Sequence, residues 1–157
     1  ILFLLVITLF NTVSNIKTYS YSYDDYINEI SNNVEKGAKV LANLNSEYYF
    51  EYGRLLDYRN LPHNKVKDLS FKEYIRSREI QYIIYSDEID YIYEKTPIYN
   101  GVYGDVSTYY EEMKTFLEEE CDLIHGFVNS TYGTNIVRLV DEKNWKIYVF
   151  RVKLDSN

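Results

Sequence analysis

Strand-like and helix-like stretches take turns along this chain, and no other feature constrains its fold as much. Five short runs read as strands: AKVLANL (38–44), RLLDY (54–58), IQYIIYS (80–86), DLIHGFV (122–128) and KIYVFRVK (146–153). Each is rich in Val, Ile, Leu or Tyr and is bounded by polar or turn residues. In the last run Ile147, Val149 and Arg151 point one way and Tyr148, Phe150 and Val152 the other. The segments between them repeat at helical spacing. Tyr26, Ile27, Ile30 and Val34 predict a helix over 22–37, with Asp24 and Asp25 in its first turn and Gly37 as its stop. SFKE (70–73) and TYYE (108–111) both fit a capping box, which predicts a short helix after Ser70 and a longer one reaching Glu120. Ser86 predicts a third cap, opening DEIDYIYEK, and Ser46 a short aromatic helix through Tyr52. The turn-rich stretch after Asn129 predicts a turn and a helix before the last strand, with a further strand as the alternative.

Strands alternating with helices at this spacing imply an α/β fold: a three-layer sandwich around a mostly parallel sheet of about five strands, with the last strand as an antiparallel edge. In such a sheet, ligands collect beyond the carboxyl ends of the strands. That places Asp57, Tyr58, Arg59 and Asn60 at a candidate binding rim, together with Ser86 to Glu88 and Asn129 to Ser130. Asp57 and Arg59 stand two apart on an extended chain, so they either grip one polar ligand or pair with each other.

The first ten residues, ILFLLVITLF, are wholly apolar and lack the basic start of a secretory leader. They are expected to be the end of a transmembrane helix, with a buried core strand as the alternative; the first reading divides the chain into a membrane and juxtamembrane segment (1–20) and an extracytoplasmic α/β domain (21–157). The flank that follows has one lysine, Lys17, against Asp24 and Asp25, which suits the non-cytoplasmic side of a cell membrane. With 157 residues, 46% of them hydrophobic, the chain is long enough for one core. Its net charge of −7 argues against a nucleic-acid backbone or an anionic membrane surface as partner, unless a local basic patch defeats that average.

Motifs exclude more than they identify. There is no GxxxxGK loop, and GVYG (101–104) lacks dinucleotide spacing, so no cofactor is expected. GxSxG and HExxH are both missing. One cysteine and two distant histidines, His63 and His125, make no zinc site. Cys121 follows three glutamates, which discourages a thiolate, and His125 reads as a satisfied strand histidine. Asn129, Ser130 and Thr131 match the N-glycosylation triplet, and the acids of 111–120 read as a solvated helix face. The 19 tyrosines supply apolar area with a polar tip, equally suited to packing and to a rim.

The order of GAKVLANL (37–44), LLDYRNL (55–61), FKEYIRSREIQYIIYSDE (71–88) and VFRV (149–152) after an apolar helix end resembles the carboxyl-terminal extracytoplasmic domain of multi-pass GT-C membrane glycosyltransferases that use dolichyl- or polyprenyl-phosphate sugars. Those enzymes carry their catalytic and metal-binding acids on early outside loops, which would lie upstream of Ile1. The resemblance therefore implies no catalytic and no metal-binding residue in this segment. It implies an accessory domain that packs on an upstream transmembrane part and helps cradle sugar or lipid-linked sugar. Asp57, Tyr58, Arg59 and Asn60 would form the substrate rim, and the aromatic group Tyr48, Tyr49, Phe50 and Tyr52 would stack on a sugar ring. An extracytoplasmic ligand-sensing domain of a membrane receptor is the rival reading, and an anchored interaction domain the third.

Overall fold

The computed structural model describes residues 6–9, 22–43, 46–61, 68–95, 106–129 and 145–153. The helix α1 (Tyr23–Ser31) starts at a reciprocal cap: Ser22 Oγ accepts from the Asp25 amide, and the Asp25 carboxylate accepts from the Ser22 amide. It ends at Ser31, short of the expected Gly37, because two amides, Asn33 and Val34, turn back onto the Ile30 carbonyl. The Asn33 side chain also donates to the Glu29 carbonyl, the kind of local bond that lets asparagine compete with helix continuation. Strands β1 (Val40–Ala42) and β2 (Leu55–Asp57) follow. Between them Ser46 opens a single tight turn, not a helix through Tyr52. After a 3-10 turn (Tyr58–Asn60) come α2 (Phe71–Ser77), β3 (Tyr82–Ser86) and α3 (Glu88–Lys95). The long helix α4 (Val106–Glu120) runs without a loop into β4 (Cys121–Val128), and β5 (Lys146–Val152) closes the described chain. Helix α4 begins before Thr108, so the TYYE capping box does not mark its start. The expected turn and helix after Asn129 lie outside the described residues.

These strands form one five-stranded mixed sheet in the order β2-β1-β3-β5-β4. Both ladders of β1 are parallel and short, whereas both ladders of β5 are antiparallel and long, so strand pairing is mostly antiparallel. This corrects the mostly parallel sheet expected from the sequence. The last strand is antiparallel, but it inserts between β3 and β4 instead of lying at an edge. Because β4 opposes β5 and β5 opposes β3, β4 runs with β1, β2 and β3. Edge strand β4 is mostly exposed or half-buried and carries a register shift between Leu123 and His125, which interrupts an open edge.

Alternate residues of the central strands feed two separate cores. Val40, Ile84 and Val149 pack with Tyr26, Ile30 and Val34 on one face. Leu41, Ile83 and Tyr85 pack on the other with Phe71 and Ile75 of α2, Ile92 of α3 and Met113 of α4. Phe71 has no exposed surface and meets Phe116 edge-on, with ring centroids 5.6 Å apart. Burying such a side chain contributes about 1.5–3 kcal/mol, and truncating it to alanine costs about 3–5 kcal/mol.

Candidate functional site

Four buried polar side chains mark the carboxyl ends of the co-directional strands: Ser46 past β1, Asp57 ending β2, Glu88 past β3 and Asn129 past β4. This is the edge where the strand order led us to expect a ligand. At β2 the rim has turned inward on itself. Both carboxylate oxygens of Asp57 bond the guanidinium of Arg59, at 2.9 Å to Nε and 3.0 Å to Nη2. The same carboxylate accepts from the Arg59 amide at 2.7 Å and so caps the 3-10 turn. Tyr58 is buried, and its hydroxyl donates to the Ile84 carbonyl at 2.9 Å. Of the four expected rim residues, Asp57 and Tyr58 are buried, and Arg59 and Asn60 lie at the surface. Ser46 is likewise hydrogen-bonded, 3.0 Å from the Tyr26 hydroxyl.

The aromatic group divides. Phe50 is buried, and Tyr49 packs on it edge-on and donates to the Val34 carbonyl at 2.7 Å. Tyr48 and Tyr52 are 90% and 106% exposed. His125 bonds Glu29 at 2.8 Å and stacks on Phe127, which suits a satisfied strand histidine. Burial pushes the Cys121 thiol up to about 12, against the opposing pull of Lys153, so the thiolate is suppressed by burial more than by the neighbouring acids to which the sequence pointed. Asn129 is 2% exposed and does not present its amide as a glycan acceptor.

The other end of the sheet has an opening that sequence reasoning missed. A cavity of about 490 Å³ lies where β1, β2 and β3 begin and β5 finishes, lined by Lys39, Arg54, Arg76, Glu79, Gln81 and Arg151. Ile75, Ile80 and Val152 give it an apolar wall. Backbone bonds fix its rim: Val40 donates to the Arg54 carbonyl, Gln81 to the Lys39 carbonyl and Val152 to the Gln81 carbonyl. Two of its cations are shared with carboxylates, Lys39 with Glu79 and Arg76 with Glu120. Neither Arg54 nor Arg151 makes an ion pair or side-chain hydrogen bond among the described residues. The bond from Lys39, its charge, and the charge of Arg54 hold the Glu79 carboxyl below its ordinary value. A visible trace of this site was the placement of Lys39, Arg54 and Gln81, each one residue before a strand.

Among the described residues no His, Cys, Asp or Glu cluster can hold a metal ion, and no helix is long and apolar enough to cross a membrane. No protein-family model, characterised protein or solved structure matches the chain.

Proposed function

We propose that this chain is the accessory extracytoplasmic domain of a membrane glycosyltransferase that uses a lipid-linked sugar donor, with the catalytic groups elsewhere in the enzyme. The observation that carries this reading is a helical turn that points its aliphatic side chains outward. Val6, Ile7 and Leu9 are 61%, 41% and 60% exposed, a state that suits contact with lipid or with neighbouring membrane helices better than contact with water. Helices against both faces of the sheet fit the three-layer domain that the sequence implied. The fully exposed Tyr48 and Tyr52 offer aromatic faces of the kind on which a sugar ring stacks. They replace Asp57 and Arg59 as the first residues to test for sugar contact.

The test uses membranes holding the complete gene product, supplied with polyprenyl-phosphate sugar. Tyr48→Ala and Tyr52→Ala are expected to lower sugar transfer while membrane retention is unchanged. A complete protein that transfers no sugar, with one membrane helix upstream of Ile1 in place of many, would overturn the transferase reading. The rival reading, a ligand-sensing domain, is favoured by one observation, the basic cavity at the entering ends of the strands.

A further inference from the structure

We propose that the cavity at the entering ends of β1, β2 and β3 is a binding site for a small phosphate-bearing molecule, with Arg54 and Arg151 as its anion-gripping groups. The chain as a whole is acidic, at −7, yet four of the side chains lining this cavity are cations and only Glu79 among the described lining residues is a carboxylate. Charge of that sign inside a concave surface concentrates anions. Lys39 and Arg76 already share carboxylates, which leaves Arg54 and Arg151 with open guanidinium forks. A single carboxylate satisfies one fork, whereas a phosphate has enough oxygens to engage several donors at once. The volume of about 490 Å³ falls within the range of small-molecule sites and exceeds what inorganic phosphate alone would fill. Ile75, Ile80 and Val152 offer the remainder of a ligand an apolar surface.

The framework is fixed before any ligand arrives. Arg54 precedes β2, and its carbonyl anchors the first residue of β1. Arg151 lies on β5 opposite Tyr82, the first residue of β3. Arg54 thus sits one residue before a paired strand and Arg151 within one, so binding costs little backbone ordering. Glu79, bound to Lys39, is the internal competitor for the ligand's place. This inference does not depend on the transferase reading, because its test measures binding by the domain and not sugar transfer.

Calorimetry on the 157-residue chain with pyrophosphate and with phenyl phosphate, at ionic strength matched with sodium chloride, tests it directly. Saturable one-to-one binding is expected. Arg54→Gln and Arg151→Gln should each weaken it about tenfold, the size of one lost charge-assisted hydrogen bond. Glu79→Gln should tighten it. Circular dichroism should show the same fold in all three variants, since none of these side chains is buried. Vesicles of phosphatidylcholine with and without phosphatidic acid identify the source of the phosphate. Extra sedimentation with phosphatidic acid that disappears in both arginine variants assigns it to a lipid headgroup, and its absence beside calorimetric binding assigns it to a soluble ligand. The proposal is overturned if neither probe binds beyond the chloride control, if the arginine variants bind like the original, or if succinate binds as well as pyrophosphate.

Discussion

Tyr110 on α4 donates its hydroxyl to Asp90 on α3 at 2.6 Å, and the same carboxylate oxygen accepts from Tyr85 of β3 and from Lys114. One carboxylate thus ties two helices and the sheet together. The Lys114 ammonium also lies 4.9 Å from the centre of the Tyr85 ring, completing the group. Asp90→Ala leaves the buried Tyr85 and Tyr110 hydroxyls without this acceptor, so it is expected to cost about 1–3 kcal/mol, measured by urea unfolding. Tyr85→Phe in the Asp90→Ala background should cost less than Tyr85→Phe alone, because the partner is already missing.

The tyrosine content sets an alkaline limit. Burial raises the Tyr26 and Tyr74 hydroxyls to about 12, and it raises Tyr58, Tyr85 and Tyr110 as well. For the last two, the hydrogen bonds to Asp90 add to the shift. The unfolded chain releases these protons near the ordinary 10.0 while the folded one holds them. Their stabilisation is therefore complete below pH 10 and is lost as pH rises from there towards 12. Ultraviolet titration should show tyrosinate forming together with loss of circular dichroism; full ionisation with the dichroism intact would contradict the burial of these rings.

The acid side depends on capping. Bonds from the Ser22 and Ser70 amides, then from their hydroxyls, hold the Asp25 and Glu73 carboxyls below their ordinary values of 3.8 and 4.5. Their contribution is present above those pH values and fades as pH falls through the lower folded ones. Both carboxyls are exposed, so the effect is screened by salt and modest. Ser70→Ala is expected to cost about 1 kcal/mol at neutral pH and to flatten the decline of stability below pH 4.5, read by urea unfolding across the acid range.

Which features were legible in the sequence follows from how local their causes are. The Ser70 cap, the start of α1 and the inward alternation of Ile147 and Val149 are fixed by neighbours a few residues apart, and the structure keeps them. The end of α1 escaped because the Asn33 side chain bonds the Glu29 carbonyl and the chain turns back on Ile30 before Gly37 is reached. Strand order is a non-local matter. Nothing near 146–152 announces that β5 will slip between β3 and β4. At Asp57 and Arg59 the spacing allowed either ligand binding or mutual pairing, and in the structure the 3-10 turn folds Arg59 back onto Asp57. The basic cavity was the hardest to read, since Lys39, Arg54, Gln81 and Arg151 are brought together only by the sheet.

Glu79 sits at φ +55, a left-handed conformation that glycine tolerates far better than other residues. It follows the C-terminus of α2, where the Ile80 amide returns to the Ile75 carbonyl and the Glu79 amide to that of Arg76. At such a position alanine is about 1 kcal/mol less favourable than glycine. Glu79→Gly should therefore unfold at a higher urea concentration than Glu79→Ala. Equal midpoints would mean that the turn relaxes out of this conformation in solution.

The Asp57–Arg59 fork makes opposite predictions for a structural pair and for a ligand rim. As a structural pair, Asp57→Ala removes the cap of the 3-10 turn that seats Tyr58 and Leu61 in the core, at about 1–2 kcal/mol. Arg59→Ala leaves the amide bond to Asp57 in place and breaks only the half-exposed side-chain pair, so its cost should be under about 1 kcal/mol. Tyr58→Phe, which strips the Ile84 carbonyl of its donor, should fall between them at about 1 kcal/mol. Urea unfolding of the three variants gives this ranking directly. Should Arg59→Ala prove as damaging as Asp57→Ala, the guanidinium and not the cap would be holding this corner of the sheet. Should both leave stability untouched, neither contact would be stabilising the fold, and the carboxyl-end rim would return as a place for ligand.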